Sequence, residues 1–452
     1  VTRIGGKWEN WGRSVRVRPV RIERPSSVEA VQRAVVSAAR SNLRVKAVGA
    51  GHSFTGIAVA PDVLLDLSDL HGVLDVDRER MRVRLFAGTR LHQIPGLLRP
   101  YGLAMQNLGD IDRQSITGAT STGTHGTGAT FGGISTQIVG ATFVDAEGEL
   151  HSVGDTLAGG DTGGPGAAGH VENPDLLPAL ALGLGALGII VDITIQCVPA
   201  FILHALECPE PLDALLAELP ARAAAADHFE FYWFPHTDVA LTKTDTRLPA
   251  DAPRVPLSRL GKWVDETLLA NGAYRVVCAV GAVIPALIPS FARLATRATG
   301  NREYTDVSHR VLTQRRTVRF REMEYALPVE NVVPAFNELR ALIAERGWRI
   351  SFPVEVRFAA SDDLWLSTAH GRESAYIAVH RYHRENPTEY FHAVERIMLA
   401  HGGRPHWGKM HTLDASQLAE LYPRFAEFVA LRDRLDPHRR FTNTYLDRVL
   451  GP

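Results

Sequence analysis

Ser115-Ile116-Thr117-Gly118-Ala119-Thr120-Ser121-Thr122-Gly123-Thr124-His125-Gly126-Thr127-Gly128 interleaves small residues and hydroxyls with glycine. Six glycines fall within the 17 residues from Thr117 to Gly133. The successive backbone amides of such a turn can converge on an anion with no helix N-terminus behind them. A chain this small-sided can also lie flat against a planar cofactor. A flexible linker is the bland account, but linkers rarely sit amid Ile, Ala and Val with so many threonines. The stretch therefore reads as a loop that cradles a ligand carrying a pyrophosphate.

Upstream, Val48-Gly49-Ala50-Gly51-His52-Ser53-Phe54 follows a predicted strand, Arg44–Val48. Its glycines would let backbone N–H groups approach a phosphate closely. It begins like a Rossmann fingerprint, but Phe54 stands where the third glycine belongs and no helix start follows. An ordinary turn after a strand is the competing reading. Downstream, Pro353-Val354-Glu355-Val356-Arg357-Phe358 reads as a strand with Glu355 and Arg357 on one face and Val354, Val356 and Phe358 on the other. Such a pair is usually solvated and gains meaning only on a pocket wall. His406-Trp407-Gly408-Lys409 follows Arg404-Pro405 and, alone, is compatible with a surface turn.

The chain has 452 residues, 49 Lys+Arg against 50 Asp+Glu, and a net charge of -1. That length suggests two or three domains, and the balanced charge gives no electrostatic reason to expect nucleic acid or a membrane surface. Cys197, Cys208 and Cys278 are too few and scattered for a disulfide framework or a C-x-x-C site. Val1–Trp11 lacks the apolar core of a signal peptide. The most apolar stretch, Val276–Pro289, has 14 residues and two prolines. It is short of the roughly 20 residues of a bilayer span and reads as a core strand or helix. No transmembrane segment and a cytoplasmic location are expected. No metal is expected, because His380 with His383 and His406 with His411 lack helical spacing and nearby acidic partners. No serine-hydrolase elbow and no phosphate-binding P-loop are present.

The first 200 residues read as short strands and helices. Arg16–Arg24 alternates like one strand, Ser26-x-x-Glu29 opens a capped helix to Arg40, and Val73–Phe86 is a hairpin. Ile138–Val144 with Leu150–Val153 reads as a second hairpin, Gly154–Gly169 as a mobile loop, Leu177–Leu187 as a helix and Ile189–Val198 as a strand. Between about 200 and 400, strands Phe229–Phe234, Ile350–Phe358 and Ala375–His380 alternate with helices Leu212–Ala225, Val329–Arg346 and Pro387–Ala400. That rhythm indicates an antiparallel sheet covered by helices. Ala415–Leu435 reads as one helix.

Taken together and in this order, these motifs resemble the aldonolactone oxidase and alditol oxidase group of the vanillyl-alcohol-oxidase flavoprotein superfamily. The look is closest to actinobacterial L-gulono-1,4-lactone oxidoreductases. The resemblance runs from Trp11 to Leu450. It is carried by Val48–Phe54, Asn107-Leu108-Gly109-Asp110, Ser115–Gly128, Leu184-Gly185-Ala186-Leu187-Gly188, Glu355-Val356-Arg357 and His406–Lys409. It implies an α+β, two-domain fold of the PCMH type. Residues 10–200 would form the FAD-binding domain and 201–400 a substrate or cap domain whose antiparallel sheet is covered by helices. Residues 401–452 would return to the flavin with Lys409.

The resemblance implies FAD, joined covalently through His52. It implies cofactor contacts from Gly49, Ala50, Gly51, Ser53, Gly109, Asp110, Ser115, Gly118, Thr122, Gly123, Thr124, His125, Ile190 and Lys409. A sugar-derived alcohol, an aldono-1,4-lactone before an open-chain polyol such as xylitol or sorbitol, would give a hydride to the flavin. Lys409 would position the hydroxyl, its pKa lowered by Arg357 beside it. Arg357 would stabilise developing negative charge, Glu355 would orient Arg357 and bind hydroxyls, and His380 would contact a further hydroxyl. Gly109, small and facing the flavin, implies oxygen as electron acceptor and hydrogen peroxide as product; another acceptor is the alternative.

Overall fold

The computed structural model describes residues 2–157, 169–171, 173–258, 272–314 and 316–452. Three sheets carry the architecture. The first orders its strands Thr2–Ile4, Arg21–Glu23, Val63–Asp66 and Val45–Val48. The helix Val28–Arg40 packs against it because Val31, Ala34, Val35 and Ala38 recur at helical spacing and are all buried. Its cap is Ser27, whose hydroxyl accepts from the Ala30 N–H at 3.2 Å. The expected cap at Ser26 is thus displaced by one, since the capping residue is the extended one directly before the first helical residue. The second sheet orders Gly169–His170, Leu150–Gly154, Ile138–Val144, Ile189–Gln196, Arg82–Phe86 and Val73–Asp77.

The third sheet positions the site. Its order is Arg302–Val307, Phe201–Pro211, Val239–Pro249, His228–Trp233, Val354–Ala359, Ser374–Tyr382, Phe320–Pro328 and Arg404–Pro405, and its pairings are antiparallel. Alternation splits its residues between two faces. Phe231, Val354, Val356, Ile377, Val379, Met323 and Tyr325 join an apolar core with helices Leu212–Ala225, Val332–Glu345 and Thr388–Ala400. The opposite face therefore carries Glu230, Tyr232, Glu355, Arg357, His380, Glu322 and Glu324. Cross-strand register places Glu322 against His380 and Tyr232 against Glu355. After the edge strand Arg404–Pro405 the chain crosses back. The Val45 N–H donates to the Arg440 carbonyl at 2.8 Å, and Asn443 donates to the carbonyls of Gly56, Ile57 and Val59.

Several sequence expectations need correction. Arg16–Arg24 is two strands in different sheets, Arg16–Val17 and Arg21–Glu23, separated at Pro19. The helix expected at Leu177–Leu187 ends at Leu180, and Leu184 and Gly185 adopt positive φ of 56° and 63°. Ala415–Leu435 divides into Ala415–Leu421 and Phe425–Leu435, because Pro423 cannot continue the first helix. Val276–Pro289 is helical but only partly core: it spans parts of the helices Tyr274–Val283 and Ile288–Ala298, with Cys278 and Ile288 buried and Val276 and Val283 61 % and 80 % exposed. Most of the expected loop Gly154–Gly169 lies outside the described residues. Among the described residues, no helix is long and apolar enough to cross a membrane.

Candidate active site

Two adjoining cavities, about 940 and 720 Å³ and open to solvent, share His52, Ser53, Gln114 and Thr122 as common wall. The first is lined by Gly49, Ala50, Gly51, Ser115, Gly118 and Ile190. Here the two glycine-rich loops meet face to face. A Cβ on Gly49 would fall 2.4 Å from the Ser115 hydroxyl oxygen, and one on Gly118 2.7 Å from the same atom. Only bare backbone fits this contact, which leaves amides lining the cavity. Ser115 itself caps the short helix Ile116–Ser121, accepting from the Gly118 N–H at 3.3 Å. The loop read from the sequence thus opens as a helix. Gly123, expected at the cofactor, lines neither cavity; with φ of 79° it turns the chain against Leu182.

Lys46 forms part of the first cavity's floor and went unread in the sequence. It is buried, and its ammonium lies 2.9 Å from the Gly185 carbonyl and 3.1 Å from that of Phe441. Burial pulls its pKa down to about 7, with Asp436 opposing. One side chain thus ties the strand before the Gly49–Gly51 turn to the 184–188 loop and the C-terminal segment.

The second cavity lies between His52–Phe54 and the polar face of the third sheet. Gly109, Asp110, Thr124, His125, Glu355, Arg357, His380 and Lys409, all named from the sequence, line it. Arg316, Glu322, Glu324 and His406 line it too, and none of these was singled out as a site residue. Arg357 is buried and ion-paired with Glu355, with Glu230 at 2.9 Å and with Asp110 at 3.6 Å. Asp110, expected at the cofactor, is engaged by Arg316 at 2.7 Å. Burial opposes its charge, but Arg316, Arg357 and Lys409 hold the carboxyl well below the usual range. Glu355 goes the other way: burial raises its pKa despite Arg357 and Arg316.

Lys409 contradicts its expected electrostatics. Its neighbours are Glu322, in direct ionic contact, and Glu324 at 4.0 Å. Burial opposes the charge, but these carboxylates outweigh it and raise the pKa. Arg357 is matched by its own carboxylates, so it does not drive Lys409 down. Glu322 in turn is held at about 2, because Lys409 and His380 outweigh its burial. His380 has Nδ1 3.1 Å from the Pro353 carbonyl and Nε2 3.5 Å from Glu322.

His125 Nε2 lies 3.3 Å from Glu324, and its ring stacks on Tyr376 with centroids 3.6 Å apart. With His406 these groups place three ligand-type atoms within 4.8 Å of one another. His406 Nδ1, however, accepts the Gly408 N–H at 3.0 Å, so in its neutral ring Nε2 carries the proton. A ring nitrogen committed in that way is a hydrogen-bond donor rather than a metal ligand. His52, between the cavities, is lowered to about 4 by burial and by Arg90, Lys409 and Arg113, so its ring is neutral near pH 7.

The pattern of the D-arabinono-1,4-lactone oxidase family matches residues 193–449, and that of an FAD binding domain matches residues 19–154. The chain is 41 % identical to L-gulono-1,4-lactone dehydrogenase of Mycobacterium tuberculosis (strain ATCC 25618 / H37Rv), over 98 % of this chain and 99 % of that one. It is 32 % identical to L-gulonolactone oxidase of Scyliorhinus torazame, over 99 % and 98 % of the two chains. In fold it matches the crystal structure of cholesterol oxidase from B. sterolicum with a TM-score of 0.82 at 18 % identity, covering all of this chain and 97 % of that one. The shared architecture is the two-domain, α+β PCMH-type fold.

Proposed function

The chain belongs to the D-arabinono-1,4-lactone oxidase family, and from that premise we propose how this FAD-dependent oxidoreductase oxidises the carbinol of an aldono-1,4-lactone. The observation that carries the reading is the meeting, in one cavity, of the His52 loop with the Glu322, Glu355, Arg357, His380 and Lys409 face. The backbone-lined first cavity fits the diphosphate and adenosine of FAD, held by Gly49, Ala50, Gly51, Ser53, Gly118 and Thr122 with Ile190 on the adenine side. The second fits the flavin ring, with His52 at the junction as its attachment point. FAD, when bound, supplies the acceptor for the hydride that leaves the carbinol carbon.

Residues 10–200 with the tail 401–452 hold the cofactor in this reading, and 201–400 hold the substrate. Lys409, kept charged by Glu322 and Glu324, donates to the substrate hydroxyl oxygen and stabilises it as its proton leaves. Because it stays protonated, it does not take that proton. His380 does: Nδ1–H donates to the Pro353 carbonyl, and a proton arriving at Nε2 is held between the ring and Glu322. Arg357, fixed by Glu355, Glu230 and Asp110, is a preorganised positive charge over the reacting centre. The Glu355 carboxylate, beside Arg357, is placed to accept from ring hydroxyls.

Dioxygen is the proposed second substrate, with Gly109 leaving its approach open and hydrogen peroxide as product. A protein or quinone acceptor is the alternative, and the relative named a dehydrogenase favours testing it. The deciding experiment mixes the holoprotein anaerobically with L-gulono- or D-arabinono-1,4-lactone and follows flavin absorbance, with xylitol in parallel. Bleaching by a lactone and slower bleaching by xylitol are expected. Bleaching by xylitol alone would reassign the substrate, and no bleaching by either would overturn the reading.

A further inference from the structure

The segment Trp8–Val15 precedes the FAD-binding match, which begins at residue 19. It is nevertheless bound tightly to the loop that bears His52. The Trp11 N–H donates to the Gly51 carbonyl at 2.8 Å. Asn10, 2 % exposed, donates through Nδ2 to the Ser53 carbonyl at 2.9 Å and to the Ser14 hydroxyl at 2.8 Å. The Ser14 hydroxyl donates to the Phe54 carbonyl at 2.9 Å. Gly51 has φ of 69°, and a Cβ there would lie 3.1 Å from the Trp8 ring. Backbone and side chains of one segment thus grip residues 51, 53 and 54, on both sides of His52.

The grip ends in a ring contact. Trp11 stacks on the His52 imidazole, with centroids 5.5 Å apart and planes at 27°. Trp11 is itself fixed edge-on by Phe320 at 5.4 Å and Phe54 at 6.3 Å. No hydrogen bond to the His52 ring appears among the described residues, so this stack is what sets the ring's plane. Both rings line the second cavity.

We propose that Trp11, seated by Asn10 and Ser14, is a positioning residue that aims the His52 imidazole at the flavin's 8α-methyl carbon for covalent attachment. The inference rests on the reading of His52 as the attachment point. In that step the imidazole lone pair forms the N–C bond, and one methyl C–H proton and the imidazole N–H proton leave. The electron pair passes through the isoalloxazine to dioxygen, which with the two protons becomes hydrogen peroxide. The neutral His52 ring has the lone pair the step needs. What remains is its direction, and a ring free to rotate would spend most of its time off line.

The test adds FAD to apoprotein in air and follows two readouts. One is total bound flavin, from quenching of FAD fluorescence. The other is flavin remaining with the acid-denatured chain. Wild-type protein is expected to bind FAD and retain it after acid, and His52→Ala to bind but release it. Trp11→Ala is expected to bind FAD and attach it about tenfold more slowly, the loss of a stacked aromatic pair and the ring's orientation. Trp11→Phe, which keeps a flat ring, should stay within about threefold of wild type. If Trp11→Ala does not fold, Trp11→Leu supplies volume without a stacking face and is expected to be slowed likewise. Attachment at the wild-type rate in a folded Trp11→Ala or Trp11→Leu protein overturns this inference alone. A wild type that releases all its flavin on acid overturns it together with the covalent reading.

Discussion

Replacing Glu322 with glutamine removes the carboxylate in direct contact with Lys409 while keeping the side chain's size. A unit charge 4.0 Å from Lys409, the distance of Glu324, is worth about 4 kcal/mol at an effective dielectric near 20. Glu322 is nearer still, so its loss costs Lys409 at least that much attraction, and Glu324 with the more distant Asp110 remains against the burial that opposes the charge. In the wild type the raised pKa keeps Lys409 protonated through neutral and mildly alkaline pH. The stability and rate that depend on its charge are fully present below its unfolded value and are lost only as pH rises through the folded one. In Glu322→Gln that loss moves down into the accessible range. Anaerobic stopped-flow bleaching of the flavin by L-gulono-1,4-lactone between pH 6 and 10 reads it directly. The wild type is expected to be flat above neutrality, and the variant to lose rate as pH rises. At its best pH the variant should be slower by about 100-fold, because His380 also loses the carboxylate that holds its incoming proton. A variant with a flat profile and a rate within twofold of wild type would refute both the Lys409–Glu322 pairing and the His380–Glu322 role.

Three further outcomes follow from the geometry. A methyl group on Gly109 would press within 3.1 Å of the His125 carbonyl and the Thr124 methyl; Gly109→Ala should slow reoxidation by air-saturated buffer with little change in the reductive rate, and equal effects on both, or none, would remove Gly109 as the oxygen gate. Gly49→Ala should cut the amount of FAD that apoprotein takes up, because its Cβ meets Ser115, and adding Ser115→Ala should restore part of it. Lys46 has a folded pKa of about 7 against an unfolded value near 10.4, so the unfolded chain holds the extra proton between these pH values and Lys46 makes wild-type stability rise with pH across that window. The full span corresponds to roughly 5 kcal/mol, and between pH 7 and 10 the urea midpoint of wild type should rise relative to that of Lys46→Met; parallel curves would show Lys46 charged throughout.

The glycine loops were legible because only glycine density permits the Gly49–Gly118 approach, and the Glu355–Arg357 face because strand alternation separates it from Val354, Val356 and Phe358. The same alternation was open to view in Phe320-Arg321-Glu322-Met323-Glu324-Tyr325, where two carboxylates share a face against Met323 and Tyr325. It went unread because nothing local says that this strand lies beside His380. That follows from the register Glu322 against His380, a property of sheet order. The wrong direction for Lys409 has the same origin: its partner comes from a strand far away in the chain, while the nearer-looking Arg357 is satisfied by others. Lys46 lay hidden in an apolar strand, where a lone lysine gives no sign that three carbonyl groups wait around it. Val276 and Val283 show the converse limit, since an apolar helix face does not say whether anything covers it.

The charges lining the second cavity bear on which sugar derivative it accepts. Arg316, Arg357 and Lys409 face Asp110, Glu322, Glu324 and Glu355, with Glu230 behind Arg357. The carboxylates outnumber the cations, so no positive charge is left over. Each cation is already paired, so a carboxylate entering here would displace an internal partner or sit unpaired among carboxylates. A lactone is neutral and asks for neither; its ring-opened aldonate carries the carboxylate. The aldonate of the same sugar should therefore compete at least about tenfold more weakly than the lactone is bound, given that like-charge juxtaposition costs several kcal/mol. Inhibition of lactone turnover by freshly hydrolysed lactone measures this, and aldonate binding as tight as the lactone's would mean that one of the three cations is free in the working site.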